Sequence, residues 1–107
     1  MRQLGYFRSI EMQGAPAQEM HGELFEILPD GYTKPVQIAV YRHSYHGFVA
    51  VHFPTGLKIH NGINRQVALD NAQRWLTVVK EPTFRKLEAA HPVINTELRP
   101  YYGSPAN

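Results

Sequence analysis

Six histidines are the residues of this chain whose type most invites chemistry: His21, His43, His46, His52, His60 and His91. His43 and His46 are spaced as H-x-x-H, while His52 and His60 fall on neighbouring runs of alternating apolar residues. Imidazole is a common metal ligand and titrates near neutrality, so metal binding and pH response are the two chemistries such a set could serve. Zinc takes four protein ligands in a structural site and three plus water in a catalytic one. The spacing makes two pairs that nothing in the sequence unites, and the first lacks the glutamate of H-E-x-x-H. No metal site and no cofactor are therefore expected. The histidines read instead as partly exposed groups on a sheet face.

Nucleophilic catalysis has less support. The serines are Ser9, Ser44 and Ser104, and none stands in G-x-S-x-G. Ser44 lies beside His43 in a turn-like stretch, Asp30 in a turn and Asp70 on a helix, so no acid–base pair is visible. There is neither a P-loop nor G-x-G-x-x-G to cradle a nucleotide. The absence of cysteine excludes disulfides, thiol catalysis and cysteine-ligated metal. The expectation is a non-enzymatic protein with no catalytic residue.

These side chains must be positioned by strands and one helix. Residues 4–12 can form a strand, and 23–28 are ambiguous between a strand and a helical turn. Pro29-Asp30-Gly31 marks a turn, since proline presets φ and glycine accepts positive φ. In VQIAVYR, Val36, Ile38 and Val40 alternate with Gln37, Ala39 and Tyr41; in FVAVHF, Val49, Val51 and Phe53 alternate with Phe48, Ala50 and His52; in LKIH, Leu57 and Ile59 alternate with Lys58 and His60. Period-two alternation predicts an antiparallel sheet with one packed face. After Asn61-Gly62, Asn64 is placed to cap a helix over 65–80, whose Ala68, Ala72, Trp75, Leu76 and Val79 share one face. Pro82 suits the first turn of a second, shorter helix with Phe84 and Leu87 inward, ended by His91-Pro92. Residues 100–107 read as a flexible tail that Tyr101 and Tyr102 could dock. The expected fold class is α+β: one domain over 1–107, an antiparallel sheet of three to five strands packed on one main helix, with a short second helix near the C-terminus.

If the first member of each alternating set faces the helix, Tyr41, Phe48, His52, Lys58 and His60 share the opposite face. Together with the hairpin residues Arg42, His43, Tyr45 and His46 they form a mixed aromatic, imidazole and cationic surface. Aromatic anchors of this kind suit a protein contact. They also suit stacking of single-stranded bases. A third reading is that residues 1–28 cover the face as a structural layer.

The totals narrow the class. At 107 residues the chain can bury one core without staples. Eleven basic against nine acidic side chains give a net charge of +2, spread along the sequence, which permits an anionic partner without requiring one. No apolar run approaches the ~18 residues of a membrane span, and residues 1–14 lack a signal-peptide core. No membrane contact and a cytoplasmic location are expected.

Two resemblances follow from these motifs. The run Asn61-Gly62-Ile63-Asn64-Arg65-Gln66-Val67-Ala68 to Ala72 resembles the end of a double-stranded-RNA-binding domain, with Gly62, Asn64, Arg65, Ala68 and Ala72 at comparable places and Gln66 where that family has a second lysine. It adds to a nucleic-acid-binding alternative, in which contact would be made through the outer sheet face or through Arg65 and Arg74 beside the helix start. The longer run from His46 to Leu76, with its Pro-Thr-Gly turn, short strand and Ala-rich helix, resembles small β-β-β-α proteins of phages and plasmids. Many of those inhibit host defence, anti-CRISPR proteins among them. That resemblance implies stoichiometric occlusion of a host protein or nucleoprotein complex, carries over no functional residue, and is compatible with a homodimer.

Overall fold

A computed structural model describes residues 3–11, 14–45 and 47–100. Five strands, β1 (Gln3–Ser9), β2 (Gln18–Ile27), β3 (Val36–His43), β4 (Gly47–His52) and β5 (Lys58–Gly62), form an antiparallel sheet in sequence order. Helices α1 (Arg65–Val79) and α2 (Glu81–Ala89) follow. The α+β class, the main helix and the short second helix are as expected. The segment that read ambiguously, 23–28, belongs to the ten-residue β2.

The sheet has two buried faces, each with its own core. Val36, Ile38, Val40 and Ala50 pack under Ala68, Ala72, Leu76 and Phe84 of the helices. On the other face Phe7, Leu24, Ala39, Tyr41, Val49, Val51 and Phe53 pack on one another. The sheet coils tightly enough to allow this: Ile10, just after β1, bridges Leu57, just before β5, so the two edges meet. Phe7 then lies 6.1 Å from Tyr41 and 6.3 Å from Phe53, between ring centroids. Gly22 makes the coil feasible, because a Cβ there would collide with the Val40 carbonyl and reach within 3.1 Å of the Phe7 ring.

This arrangement corrects the parity read for β4. Val49, Val51 and Phe53 do not face the helix; Phe48, Ala50 and His52 do. The register decides it: Ile38 pairs with His52, Val40 with Ala50 and Tyr41 with Val49, and directly paired residues share a face. Both parities of FVAVHF carry large apolar residues, so the alternation alone favoured neither.

Local chemistry fixes the rest. Asn64 caps α1 by accepting from the Val67 N–H at 2.9 Å. The Tyr32 hydroxyl donates to the Leu76 carbonyl at 2.8 Å, the same oxygen that accepts the Lys80 N–H at the C-terminal end of α1. The buried Asn95 closes the sheet: its Oδ1 accepts from Arg8 N–H, and its Nδ2 donates to the carbonyls of Arg8 and Phe53. Arg99 then pairs its backbone with Tyr6 on the outer edge of β1. Tyr101, Tyr102 and the rest of the expected tail after residue 100 lie outside the described residues, as does His46.

Candidate functional site

The expected outer platform does not exist as one surface. Tyr41 does point away from the helices, but only 4% of it is exposed, and burial raises its hydroxyl pKa above the usual tyrosine value. Phe48 and His52 face the helices. Arg42 is exposed opposite Phe48. Lys58 and His60 are exposed on the edge strand β5. The layer that buries Tyr41 comes partly from β1 and β2, strands of the same sheet, so the covering by residues 1–28 is achieved by coiling rather than by a separate layer. The nucleic-acid candidates are also engaged locally. Arg65 lies 2.7 Å from the buried Glu23 carboxylate, with its guanidinium 5.7 Å from the Phe48 ring centroid, and Arg74 lies 3.4 Å from Asn71 Oδ1.

Two places remain where the geometry offers something to a partner. The first is the end of the sheet where the β3–β4 hairpin meets the β5–α1 turn. Gly47 adopts φ 77°, and a Cβ there would sit 2.6 Å from the Gly62 carbonyl oxygen, so the hairpin rests directly on the turn. Tyr45 (89% exposed) and Ile63 (82% exposed) flank the open hollow lined by Gly47, Asn61 and Gly62. His43 supports the tyrosine: its Nδ1 accepts from Tyr45 N–H at 3.1 Å, which places the ring proton on Nε2, 3.2 Å from Glu11 Oε1. Ile63 precedes the N-cap, where an apolar residue ordinarily staples onto the fourth helical residue. That residue here is Ala68, already fully buried in the core. Ile63 was absent from the sequence expectation, and the signal available was this unmatched staple position.

The second place is under α2. His52 is 4% exposed; its Nε2 lies 2.9 Å from Glu88 Oε2 and its Nδ1 2.7 Å from Thr55 Oγ1. A carboxylate only accepts, so Nε2–H donates to Glu88 and Nδ1 accepts the Thr55 hydroxyl proton. Burial holds the His52 pKa below the usual imidazole value, against the opposing pull of Glu88. The hydroxyl–imidazole–carboxylate line superficially matches an acyl-transfer relay. Thr55 is buried, however, and its Oγ1 also lies 3.4 Å from the Leu57 N–H, so it ties its own turn. Arg85 extends the network, donating to Glu81, to Glu88 and to the carbonyls of Lys34 and Pro35. Glu81 accepts from Thr33 N–H, the Thr33 hydroxyl and Lys34 N–H, which hold its pKa at about 2. Beside this network lies a cleft of about 130 Å³ walled by Leu57, Ile59, Trp75, Phe84 and Leu87, with His52 and Thr55 within it and Lys58 and His91 among its lining. His52 and Lys58 therefore do meet, but in this cleft rather than on an open sheet face.

Among the described residues no three histidine, aspartate or glutamate side chains converge as a metal site, and no helix is long and apolar enough to cross a membrane. Comparison with protein-family models, curated proteins and solved structures finds no match to this chain.

Proposed function

We propose that this chain is a non-enzymatic binding protein that occludes a macromolecular partner, and that its contact surface is the hairpin end of the sheet, centred on Tyr45 and Ile63. The observation that carries the reading is the pairing of these two exposed apolar side chains across a hollow built on glycines, with Arg42 exposed on β3 of the same hairpin. A tyrosine supplies a large contact area with few torsions to freeze, and isolated exposed apolar residues gain weight when they adjoin. Arg42 and Tyr45 are thus retained from the wider set expected from sequence, with His43 as a support. The partner in this reading is a protein surface with an apolar centre and an acidic margin. Its narrower form, a mobile-element inhibitor of the anti-CRISPR kind, rests on the resemblance in size and layout alone.

The nucleic-acid alternative has less support, because Tyr41 is buried, Phe48 is half-buried beneath Arg65, and Arg65 is paired with Glu23. Affinity capture from the native host separates the readings. A partner retained by the wild type and by Lys58→Ala, and lost with Tyr45→Ala plus Ile63→Ala, supports the hairpin end. Retention by the double variant overturns it. Salt-sensitive binding to mixed DNA and RNA at ~50 mM salt, falling steeply by ~200 mM, would transfer the function to nucleic acid.

A further inference from the structure

The cleft under α2 lies at the other end of β5 from the hairpin hollow. It begins at Lys58, whereas the hollow ends at Gly62 and Ile63. Its position follows from an irregularity in pairing. Val51 pairs with Lys58 and Ala50 with His60, so Ile59 is an extra residue in β5. Ile59 packs against the helix-side core together with Trp75, while Lys58 stays exposed and its ammonium has no ion-pair partner among the described residues.

Three features define what the cleft would accept. Its walls are apolar, including two aromatic rings, and its volume of about 130 Å³ is close to the ~150 Å³ of a dry apolar cavity that takes up benzene. Its buried polar groups are already saturated: His52 is bonded through both nitrogens, and the Thr55 hydroxyl lies against His52 and the Leu57 N–H. The inner end of a ligand would therefore meet no free donor or acceptor from this pair and must be apolar. The charge among the lining residues is positive. Lys58 is present, no carboxylate lines the cleft, and Glu88, behind His52, is taken up by His52 and Arg85.

We propose that this cleft is a binding site for a small amphipathic monoanion, a single ring or compact branched chain bearing one carboxylate, with the apolar part against Trp75 and Phe84 and the carboxylate at Lys58. Burial of the apolar part supplies most of the affinity. The exposed lysine supplies preference for the anion over a neutral analogue, at the modest strength of a solvent-facing ion pair.

The chain offers a specific reporter, because Trp75 is its single tryptophan and lines the cleft. Titration of the full chain with phenylacetate, followed by Trp75 emission, should give a saturable change with a dissociation constant on the order of 1 mM. Phenylacetamide, its neutral counterpart, should bind about threefold more weakly or worse, and Lys58→Glu should weaken phenylacetate by about fivefold. Lys86→Glu, an exposed charge change on α2 outside the cleft lining, should leave the affinity within about twofold. Circular dichroism confirms that each variant is folded. A Trp75 signal that does not saturate by ~20 mM phenylacetate overturns the site. Equal binding of acid and amide, unchanged in Lys58→Glu, overturns the monoanion. Either outcome leaves the hairpin-end reading intact, since neither variant touches Tyr45 or Ile63.

Discussion

The α2 side of the molecule and the hairpin end of the sheet solve opposite problems. Under α2, polar groups have been drawn into a partly buried region, and their hydrogen-bonding capacity is met within the chain: Glu81 by the 33–34 loop, Arg85 by two glutamates and two carbonyls, His52 by Glu88 and Thr55. At the hairpin end, apolar groups have been held out in water. Tyr45 and Ile63 stand exposed although the backbone beneath them is tightly constrained by Gly47, Gly62 and the Asn64 cap. A satisfied buried network contributes to a unique packing and offers little to a partner. An exposed apolar pair contributes almost nothing to stability and retains its contact area for binding. The contrast separates polar groups engaged within the fold from apolar groups left exposed to solvent.

The contrast can be broken most strongly at Phe84. This ring is buried against Tyr32 and edge-on to His52, so Phe84→Ala should destabilise the protein by about 3 kcal/mol in urea unfolding, by lost transfer energy and a cavity. Its expected signature is a lower midpoint at unchanged slope. Lys80 provides a test of opposite sign. At the α1–α2 junction it has φ 71° and ψ 151°, a region that suits glycine. Lys80→Gly should stabilise by about 1 kcal/mol, the relief of strain being partly offset by the greater freedom of glycine in the unfolded chain. A loss of stability would show that the lysine side chain does more than bridge two helices.

Acid titration sharpens the comparison through two groups on the α2 side. His52 has a depressed pKa when folded, so between that value and the ordinary 6.5 the unfolded chain binds the extra proton. Its contribution is therefore present above pH 6.5 and is lost as pH falls below it. Glu81 is likewise depressed, from 4.5 to about 2, so its contribution is present above pH 4.5 and is lost as pH falls toward 2. Glu81→Gln should remove the second loss, and His52→Gln should flatten the first; thermal midpoints measured from pH 8 to 2 separate them. The smallest effect is expected at the other end of the molecule. Tyr45→Ala plus Ile63→Ala should alter unfolding free energy by no more than about 0.5 kcal/mol, measured in the same urea series. A larger change would mean that these residues pack in the folded state, and would remove the basis for placing the contact there.

Much of the secondary structure was legible because it is local. The turn at 29–31, the alternation of β3, the Asn64 cap and the Ala68, Ala72, Leu76 stripe depend on residues a few positions apart, and each appears where expected. The candidate site was legible only in pieces. Arg42, His43 and Tyr45 lie at the hairpin end, and Lys58 and His60 are exposed as expected. Tyr41, Phe48 and His52 failed as members of one face, since Phe48-Val49-Ala50-Val51-His52-Phe53 carries apolar residues at both parities. A one-residue choice of parity moves every side chain of a strand to the other face.

The chain sequence by itself determines an antiparallel sheet followed by a long and a short helix, because turn residues, side-chain periodicity and caps act within a few residues of backbone. Tertiary structure alone decided which face of β4 meets the helices, that the second face is closed by coiling through Gly22 and the Asn95 clamp, and that His52 is buried under α2 in a hydrogen bond to Glu88, 36 positions further along the chain. Those outcomes depend on register between strands and on contacts remote in sequence. Register is set by the fit of whole faces, not by the alternation within any one strand.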